Sequence, residues 1–296
     1  MPASLEEFSV LSLYSAIIVY ALAFIFYVVD LAARSGDFAD QQPVRRWSRV
    51  AYALTVLGAI LHSAATVMRG IGAERVPWAN MYEFALTATL AVIVIYLLSF
   101  FIVDLRYLGS LITGLVVLFL GVSKVGYYVE IVPLQPALDS YWLIIHIIVA
   151  VLAVGFLTLS FGLSILQLLQ TRRGNLLNAG KPSKLKFLKT LPSAEQLEDL
   201  SYRVAIIGFV FWTFTLIAGS IWAERAWSRY WGWDVKEVWT LIIWILYAGF
   251  IHARATRGWR GIRSAWLSII AYTAVIFNFT IVNTYFKGLH AYSGLD

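Results

Sequence analysis

Four histidines are the candidate metal ligands of this chain: His62, His146, His252 and His290. Neutral imidazole is the commonest metal ligand among protein side chains. Histidine is also rare inside apolar, membrane-length segments, and where it occurs there it usually serves a function. The chemistry that this set favours is therefore the binding of a transition metal or of a group that carries one.

A second signal is the concentration of tryptophan in the segment WAERAWSRYWGWDVKEVW, residues 222–239. It holds five of the chain's 12 tryptophans, namely Trp222, Trp227, Trp231, Trp233 and Trp239. An aromatic belt at a membrane surface would spread tryptophan over many helix ends. Concentration in one segment instead favours a flat aromatic platform, because indole rings offer rigid faces for stacking and N–H groups for a polar edge.

A heme group (iron protoporphyrin IX, heme b) satisfies both signals, since it is a flat ring with an iron that accepts histidine ligands. Its propionates are anionic, and Arg225, Arg229 and Lys236 are candidate contacts for them. Asp234 would repel propionates. We expect it to order the segment instead, by bonding backbone N–H groups or by pairing with Lys236 or an arginine.

The composition predicts that lipid surrounds these residues. The chain of 296 residues is 60% hydrophobic and 14% charged, with a mean hydropathy of +0.75, whereas a soluble domain carries about 25% charge. Eight apolar segments approach the roughly 20 residues that a spanning helix needs, so we predict an all-α, polytopic membrane protein with a single transmembrane domain over residues 1–296. The segments lie near 9–33, 49–68, 81–103, 107–123, 140–170, 201–222, 238–254 and 265–286.

The distribution of positive charge predicts the orientation. Sixteen of the 23 Lys and Arg residues fall in one set of alternate loops, seven of them within 171–203. The richer side faces the cytoplasm or its organellar equivalent. We therefore expect 171–200 to be a cytoplasmic loop, and both termini and the tryptophan-rich loop 222–240 to be extracytoplasmic.

The chain has no cysteine, which excludes a dithiol carrier, an iron–sulfur protein and a disulfide scaffold. Thiols that its pathway uses must come from another chain. The net charge of +6 is explained by membrane orientation, and no nucleic-acid partner is expected.

Depth in the membrane sorts the histidines. At 1.5 Å per residue, His146 lies about 9 Å below the outer surface, and His290 lies just past the end of the eighth span. We expect these two to be the axial ligands of an external heme. His252 lies roughly 20 Å from that surface, so it predicts a second, transmembrane site beside the small residue Gly249. His62 is either a second ligand there or a buried histidine bonded to a carbonyl or hydroxyl.

These residues also resemble a known family. The stretch WGWDVKEVWTLIIWILYAGFIHAR carries the "WWD" signature of heme-handling proteins and is similar to the CcsA (ResC) family of system II cytochrome c biogenesis. The likeness continues in PWANMYEF, YWLIIH and NTYFKGLHAYSG. The chain departs from the family pattern at Ser228, Val235 and Ala291, where the family often has glycine, proline and serine.

The resemblance implies a function. His146 and His290 would hold heme while it is presented to an apocytochrome, and His252 would receive heme inside the membrane at a site shared with a CcsB (ResB) partner. The chain would deliver heme across the membrane and support thioether formation at CxxCH, as a subunit of a holocytochrome c synthase (heme lyase) complex. It would supply no nucleophile itself.

The same resemblance implies a thioredoxin-like partner that reduces the thiols of the apocytochrome. We expect a bacterial inner membrane, with a thylakoid membrane as the alternative. Three other functions stay open: a heme exporter or chaperone that attaches nothing, a diheme electron carrier of the cytochrome b type, and a transporter unrelated to heme. Of these, the exporter is the main alternative, because the histidine depths do not pair for a diheme carrier.

Overall fold

The computed structural model describes residues 4–33, 46–183, 185–256, 258–286 and 288–290. Within these ranges, eight helices are long and apolar enough to cross a membrane. This confirms the predicted all-α, polytopic fold. The helices are α1 Leu5–Ala33, α2 Arg46–Gly72, α3 Met81–Ser99, α4 Gly109–Gly126, α5 Tyr141–Asn178, α6 Ala194–Trp227, α7 Val235–Thr256 and α8 Ile262–Phe277, which continues through a π-helical turn, Asn278–Val282, to Asn283–Tyr285.

The helices pack around two main apolar cores. Helices α1 to α4 and part of α5 enclose the first, and α5 to α8 enclose the second. Small residues let neighbouring helices approach closely, as is usual between membrane helices. A Cβ added at Gly58 would lie 2.6 Å from the Tyr20 ring, and one at Gly208 would lie 2.6 Å from the Leu157 side chain.

The antiparallel order of the helices determines which helix ends meet. It brings the ends of α2, α4, α6 and α8 and the starts of α3, α5 and α7 to one end of the bundle.

The loops are shorter than the sequence predicted. The segment 171–200 is not wholly a loop, because α5 runs to Asn178 and α6 begins at Ala194 behind a Ser193 capping box. The loop 222–240 likewise reduces to residues 228–234, between Trp227 and Val235. Apolarity marks only the part of a helix in lipid, whereas good helix formers such as Arg, Gln and Glu continue it into water.

A buried ion-pair network, which we call the Arg69 network, fixes the start of α3. Arg69 Nε lies 3.0 Å from Glu83 Oε1, and its Nη1 lies 2.8 Å from Glu6 Oε1. Arg75 Nη1 lies 2.7 Å from Glu83 Oε2. Burial of such charges is tolerable only when each has partners. The network ties α1, α2 and α3 together at the end of the bundle where the tryptophan-rich segment lies.

The cap of α3 completes this arrangement. Asn80 Oδ1 accepts from Glu83 N–H at 2.9 Å, and Glu83 Oε2 accepts from Ala79 N–H at 2.8 Å. Together with the Arg69 network, these bonds hold the residues that precede α3 in a single position.

Candidate functional site

A ligand-sized cavity lies between α3, α5, α6, α7 and α8. Its empty space is about 1100 Å³, open mouth included. We call it the indole cavity because four tryptophans line it, Trp78, Trp212, Trp222 and Trp231. His146 and His290 both line it as well.

His146 enters the cavity from α5 in a defined tautomer. Its Nδ1 lies 3.0 Å from the carbonyl oxygen of Thr215 on α6. A carbonyl can only accept, so Nδ1 carries the proton and Nε2 keeps its lone pair. No described residue donates a hydrogen bond to this Nε2. The ring lies nearly parallel to Trp222, with centroids 5.9 Å apart and planes 15° apart.

Gly219 on α6 makes room for that ring. A Cβ added there would lie 2.9 Å from His146 Cε1 and 3.0 Å from Nδ1, closer than such contacts normally come. The identity of residue 219 therefore decides where the imidazole lies, although nothing in the sequence pattern singles this glycine out.

His290 reaches the same cavity from the turn after α8, and Asp234 holds it there. His290 Nδ1 donates to Asp234 Oδ2 at 2.7 Å, and Asp234 Oδ1 accepts from Leu289 N–H at 3.2 Å. A carboxylate behind a histidine fixes its tautomer and raises its basicity, as it does behind metal-bound histidines. Nε2 is again the nitrogen with the lone pair.

Asp234 therefore differs from the prediction in its partner. It accepts from a nearby backbone N–H group, that of Lys236 at 3.4 Å, as predicted, but its side-chain partner is a histidine 56 residues away in sequence and not the Lys236 ammonium or an arginine. The bond with His290 lowers the pKa of Asp234 below its ordinary value, so the carboxylate is ionised at neutral pH. A Cβ added at Gly288 would collide with Asp234 Oδ1, which shows that the turn needs glycine there to approach so closely.

The tryptophans do not form one flat platform. Trp222 and Trp231 line the cavity, whereas Trp227 packs its ring at 70° against His290, with centroids 4.8 Å apart. Trp233 is 72% exposed and Trp239 packs on Phe277 of α8. Neighbouring indoles meet at 64° and 90°, because edge-to-face contact suits their quadrupoles better than a coplanar arrangement.

The three predicted cations lie in different surroundings. Arg225 is 64% exposed and lies 3.4 Å from Glu224. Arg229 lies with its guanidinium against the backbone of Gly232. Among the described residues that line the indole cavity, Lys236 is the only lysine or arginine.

Lys236 is held by the π-helical turn of α8. Its Nζ donates to Asn278 O at 2.9 Å and to Asn283 Oδ1 at 2.6 Å, and it lies 4.7 Å from the Phe279 ring centroid. Such turns often occur at functional sites, since they shift side chains and carbonyls out of the regular α register. Two of the three ammonium donors are used, so one is left for a ligand.

The other two histidines lie elsewhere. His62 is fully buried, with Nε2 2.9 Å from Leu86 O and Nδ1 3.4 Å from the Tyr20 hydroxyl. The prediction of His62 as a metal ligand is contradicted by this geometry, because both of its nitrogens are already hydrogen-bonded. The alternative, a buried histidine bonded to a carbonyl and a hydroxyl, is what the structure shows.

His252 lies on an exposed face of α7, together with Ile245 and Gly249. Arg254 anchors this end of the helix to α6: its Nε lies 3.2 Å from Glu198 Oε1, and its Nη2 pairs with Asp199. A Cβ added at Gly249 meets nothing within 4 Å, so the surface beside His252 is open.

Two further cavity residues were missed by sequence reasoning, Glu237 and Asn278. Each is buried, lines the indole cavity and has one side-chain oxygen with no partner in the described part of the chain. Trp78, in the PWANMYEF stretch, is a third lining residue whose role the sequence did not show.

Eight membrane-length helices in the described ranges, five of which enclose a cavity with two imidazoles and four indoles, define a multi-pass membrane protein with a candidate ligand site at one end of its bundle. A family model described as "Cytochrome C assembly protein" matches residues 78–290. The "Cytochrome c biogenesis protein CcsA" of Guillardia theta is 31% identical over 260 residues, which cover 83% of this chain and 86% of the relative. That of Synechococcus sp. (strain JA-3-3Ab) is 32% identical, covering 80% and 83%.

The chain belongs to the cytochrome c assembly family and, within it, to the CcsA proteins. The resemblance drawn from the sequence is thus confirmed. A solved structure, "Cytochrome c Heme Lyase CcmF", matches with a TM-score of 0.68 at 17% identity. It covers 94% of this chain, which spans about half the length of that protein, 47%. At this identity the likeness supports the fold alone.

Proposed function

We propose that the indole cavity binds heme b, with the iron between Nε2 of His146 and Nε2 of His290. One observation carries the proposal. Two imidazoles from distant parts of the chain line one cavity, and each has its Nδ1–H held by a fixed acceptor. This leaves on both rings the neutral nitrogen that iron binds.

The other lining groups fit the same ligand. Trp222, whose ring centroid is 5.9 Å from that of His146 and 5.4 Å from that of His290, offers an apolar surface beside both imidazoles. The remaining donor of Lys236 suits a propionate. Arg225 is mostly exposed, and the propionate contact does not need it. Trp231 lines the cavity, so its indole is available to contact the porphyrin ring.

The bound heme is a substrate in this proposal. Membership in the CcsA proteins supports a role in which heme is attached to an apocytochrome c. The thiols come from the CxxCH segment of the apocytochrome, in agreement with a chain that has no cysteine. The histidine of that segment then displaces one axial imidazole, which releases the product.

A second heme contact at His252 belongs to the same proposal. His252 is exposed on α7 beside Ile245 and Gly249, so its second ligand comes from another chain. A CcsB (ResB) partner supplies it, and a thioredoxin-like protein keeps the CxxCH thiols reduced. The indole cavity faces away from the side rich in Lys and Arg, at a bacterial inner membrane or a thylakoid membrane.

Co-expression with the partner and a c-type apocytochrome tests attachment. We expect covalent heme in the apocytochrome with the wild-type chain, and none with His146→Ala or His290→Ala. The matched control is His62→Phe, which changes a histidine outside the cavity. Heme that reaches the apocytochrome without forming thioethers would instead establish an exporter or chaperone that attaches nothing.

A further inference from the structure

Glu237 has two carboxylate oxygens in different situations. Oε2 accepts from Gly232 N–H at 2.8 Å and from Asp234 N–H at 3.1 Å. These bonds order the loop that leads into α7, in the manner of a carboxylate that returns to the start of its own helix. Oε1 is buried and has no hydrogen-bond partner in the described part of the chain. The whole residue is 8% exposed.

The structural role therefore explains one oxygen and not the other. A buried acceptor without a partner destabilises the fold, and an unsatisfied group in a native fold calls for a reason, a catalytic role among them. Six such side-chain atoms occur in the described ranges, and two of them belong to residues that line the indole cavity, Glu237 and Asn278. Loop ordering alone would not require an oxygen in that position.

Glu237 is also the only carboxylate among the described residues that line the cavity. The other titratable groups there are His146, His290 and Lys236, with Tyr230 at the mouth. In the proposed function the two imidazoles bind iron through Nε2, and Lys236 is a donor held by Asn278 and Asn283. None of these three is left to accept a proton.

We propose that Glu237 is a catalytic proton-transfer residue for thioether formation, an inference that rests on the proposed function. The carboxylate takes the proton from a CxxCH thiol and gives it to the terminal vinyl carbon. The positive charge this leaves on the vinyl carbon next to the porphyrin ring is stabilised by the ring, and the thiolate sulfur bonds to that carbon. The S–H bond breaks, a C–S and a C–H bond form, and no oxidant or reductant is consumed. The carboxylate is regenerated, ready for the second thiol.

The geometry suits that role. Oε2 is fixed by two backbone N–H groups, so Oε1 is held in one orientation without help from the ligand, as efficient acid–base catalysis requires. The neighbouring Asn278 Oδ1, also unpartnered, provides a second acceptor that can orient the thiol. Its placement in the π-helical turn brings it to the cavity wall.

The test measures two quantities separately, in the complex of the full chain with its partner: heme bound at the indole cavity, and the single-turnover rate of thioether formation with a CxxCH apocytochrome. Glu237→Gln keeps an oxygen to accept from Gly232 and Asp234 but cannot carry the proton. We expect heme binding within about twofold of wild type, and a rate about 10²–10⁴-fold lower. Glu224→Gln, which removes a half-buried carboxylate of α6 that does not line the cavity, is the matched control and should leave both unchanged.

Two further variants separate catalysis from folding. Glu237→Asp keeps an acid and should retain more activity than Glu237→Gln. Glu237→Ala should be partly rescued by added formate, which a purely structural role would not allow. Wild-type attachment rates in Glu237→Gln would overturn the inference, and so would loss of heme binding in that variant. If the wild-type complex binds heme but forms no thioether, the attachment proposal itself fails and this inference fails with it.

Discussion

Two histidines within the membrane-length helices, His62 and His146, have similar first contacts but differ at the second ring nitrogen. Each bonds a backbone carbonyl of a neighbouring helix, at 2.9 Å for Leu86 and 3.0 Å for Thr215. The second nitrogen of His62 meets the Tyr20 hydroxyl, whereas that of His146 faces a cavity. A histidine inside a membrane span is therefore a metal ligand only when the fold leaves its second nitrogen free.

The largest expected difference is between the variants His146→Ala and His62→Ala. We expect His146→Ala to abolish the low-spin, two-histidine heme spectrum of the purified complex, with partial recovery on addition of imidazole. His62→Ala should keep the spectrum but lower stability, because it leaves the Leu86 carbonyl and the Tyr20 hydroxyl unsatisfied at about 1–3 kcal/mol. Equal heme spectra in the two variants would refute the distinction.

Asp234→Asn tests whether this carboxylate orients His290 so that its Nε2 can bind iron. The amide keeps the shape but not the charge that holds His290, and loss of such a partner typically costs 10–100-fold in metal affinity. We expect a fall of that size in heme affinity, measured by titration of the heme-free complex. Asp139→Asn removes an exposed carboxylate at the same end of the bundle and should have no effect; equal affinities for both variants would count against the role of Asp234.

A second pair of variants, Lys236→Gln and Arg225→Gln, tests which cation contacts the heme propionates. Lys236 lines the cavity and Arg225 is mostly exposed. A hydrogen bond to a charged group is worth about 1.5–3 kcal/mol. Glutamine keeps a neutral donor, so Lys236→Gln should lose only the lower end of that range and weaken heme binding about tenfold. Arg225→Gln should leave the titration unchanged. A larger effect from Arg225 would place the propionates at the outer surface.

Gly219→Ala should give the smallest effect. The added methyl group meets the His146 ring at 2.9 Å, and an off-rotamer side chain costs about 0.5–1.5 kcal/mol, so we expect a few-fold loss of heme affinity. Gly121→Ala is the matched control, since nothing lies within 4 Å of that position. The redox midpoint of bound heme, which reports ligand geometry, should shift in Gly219→Ala and not in Gly121→Ala.

The sequence was sufficient for some of these features and not for others. Eight apolar runs predicted the helices, and the depth of His146 and His290 predicted that they share one end of the bundle. The bond between Asp234 and His290 joins residues 56 positions apart, and the space beside Gly219 depends on how α5 and α6 pack. Neither leaves a local pattern. Loop ends were misjudged because apolarity reports lipid contact and not helix length.

The Arg69 network gives the two walls of the indole cavity unequal rigidity. On the wall formed by Trp78 and Met81, three ion pairs among buried groups resist local unfolding. At the other side of the cavity, the described residues of the His290 turn are held by Asp234 and by packing on Trp222 and Trp227, with no ion-pair network among the described residues. Segments with fewer buried contacts open at lower free energy. We therefore expect the His290 turn to move aside when the apocytochrome approaches and its histidine replaces an imidazole at the iron. The α3 wall should stay in place.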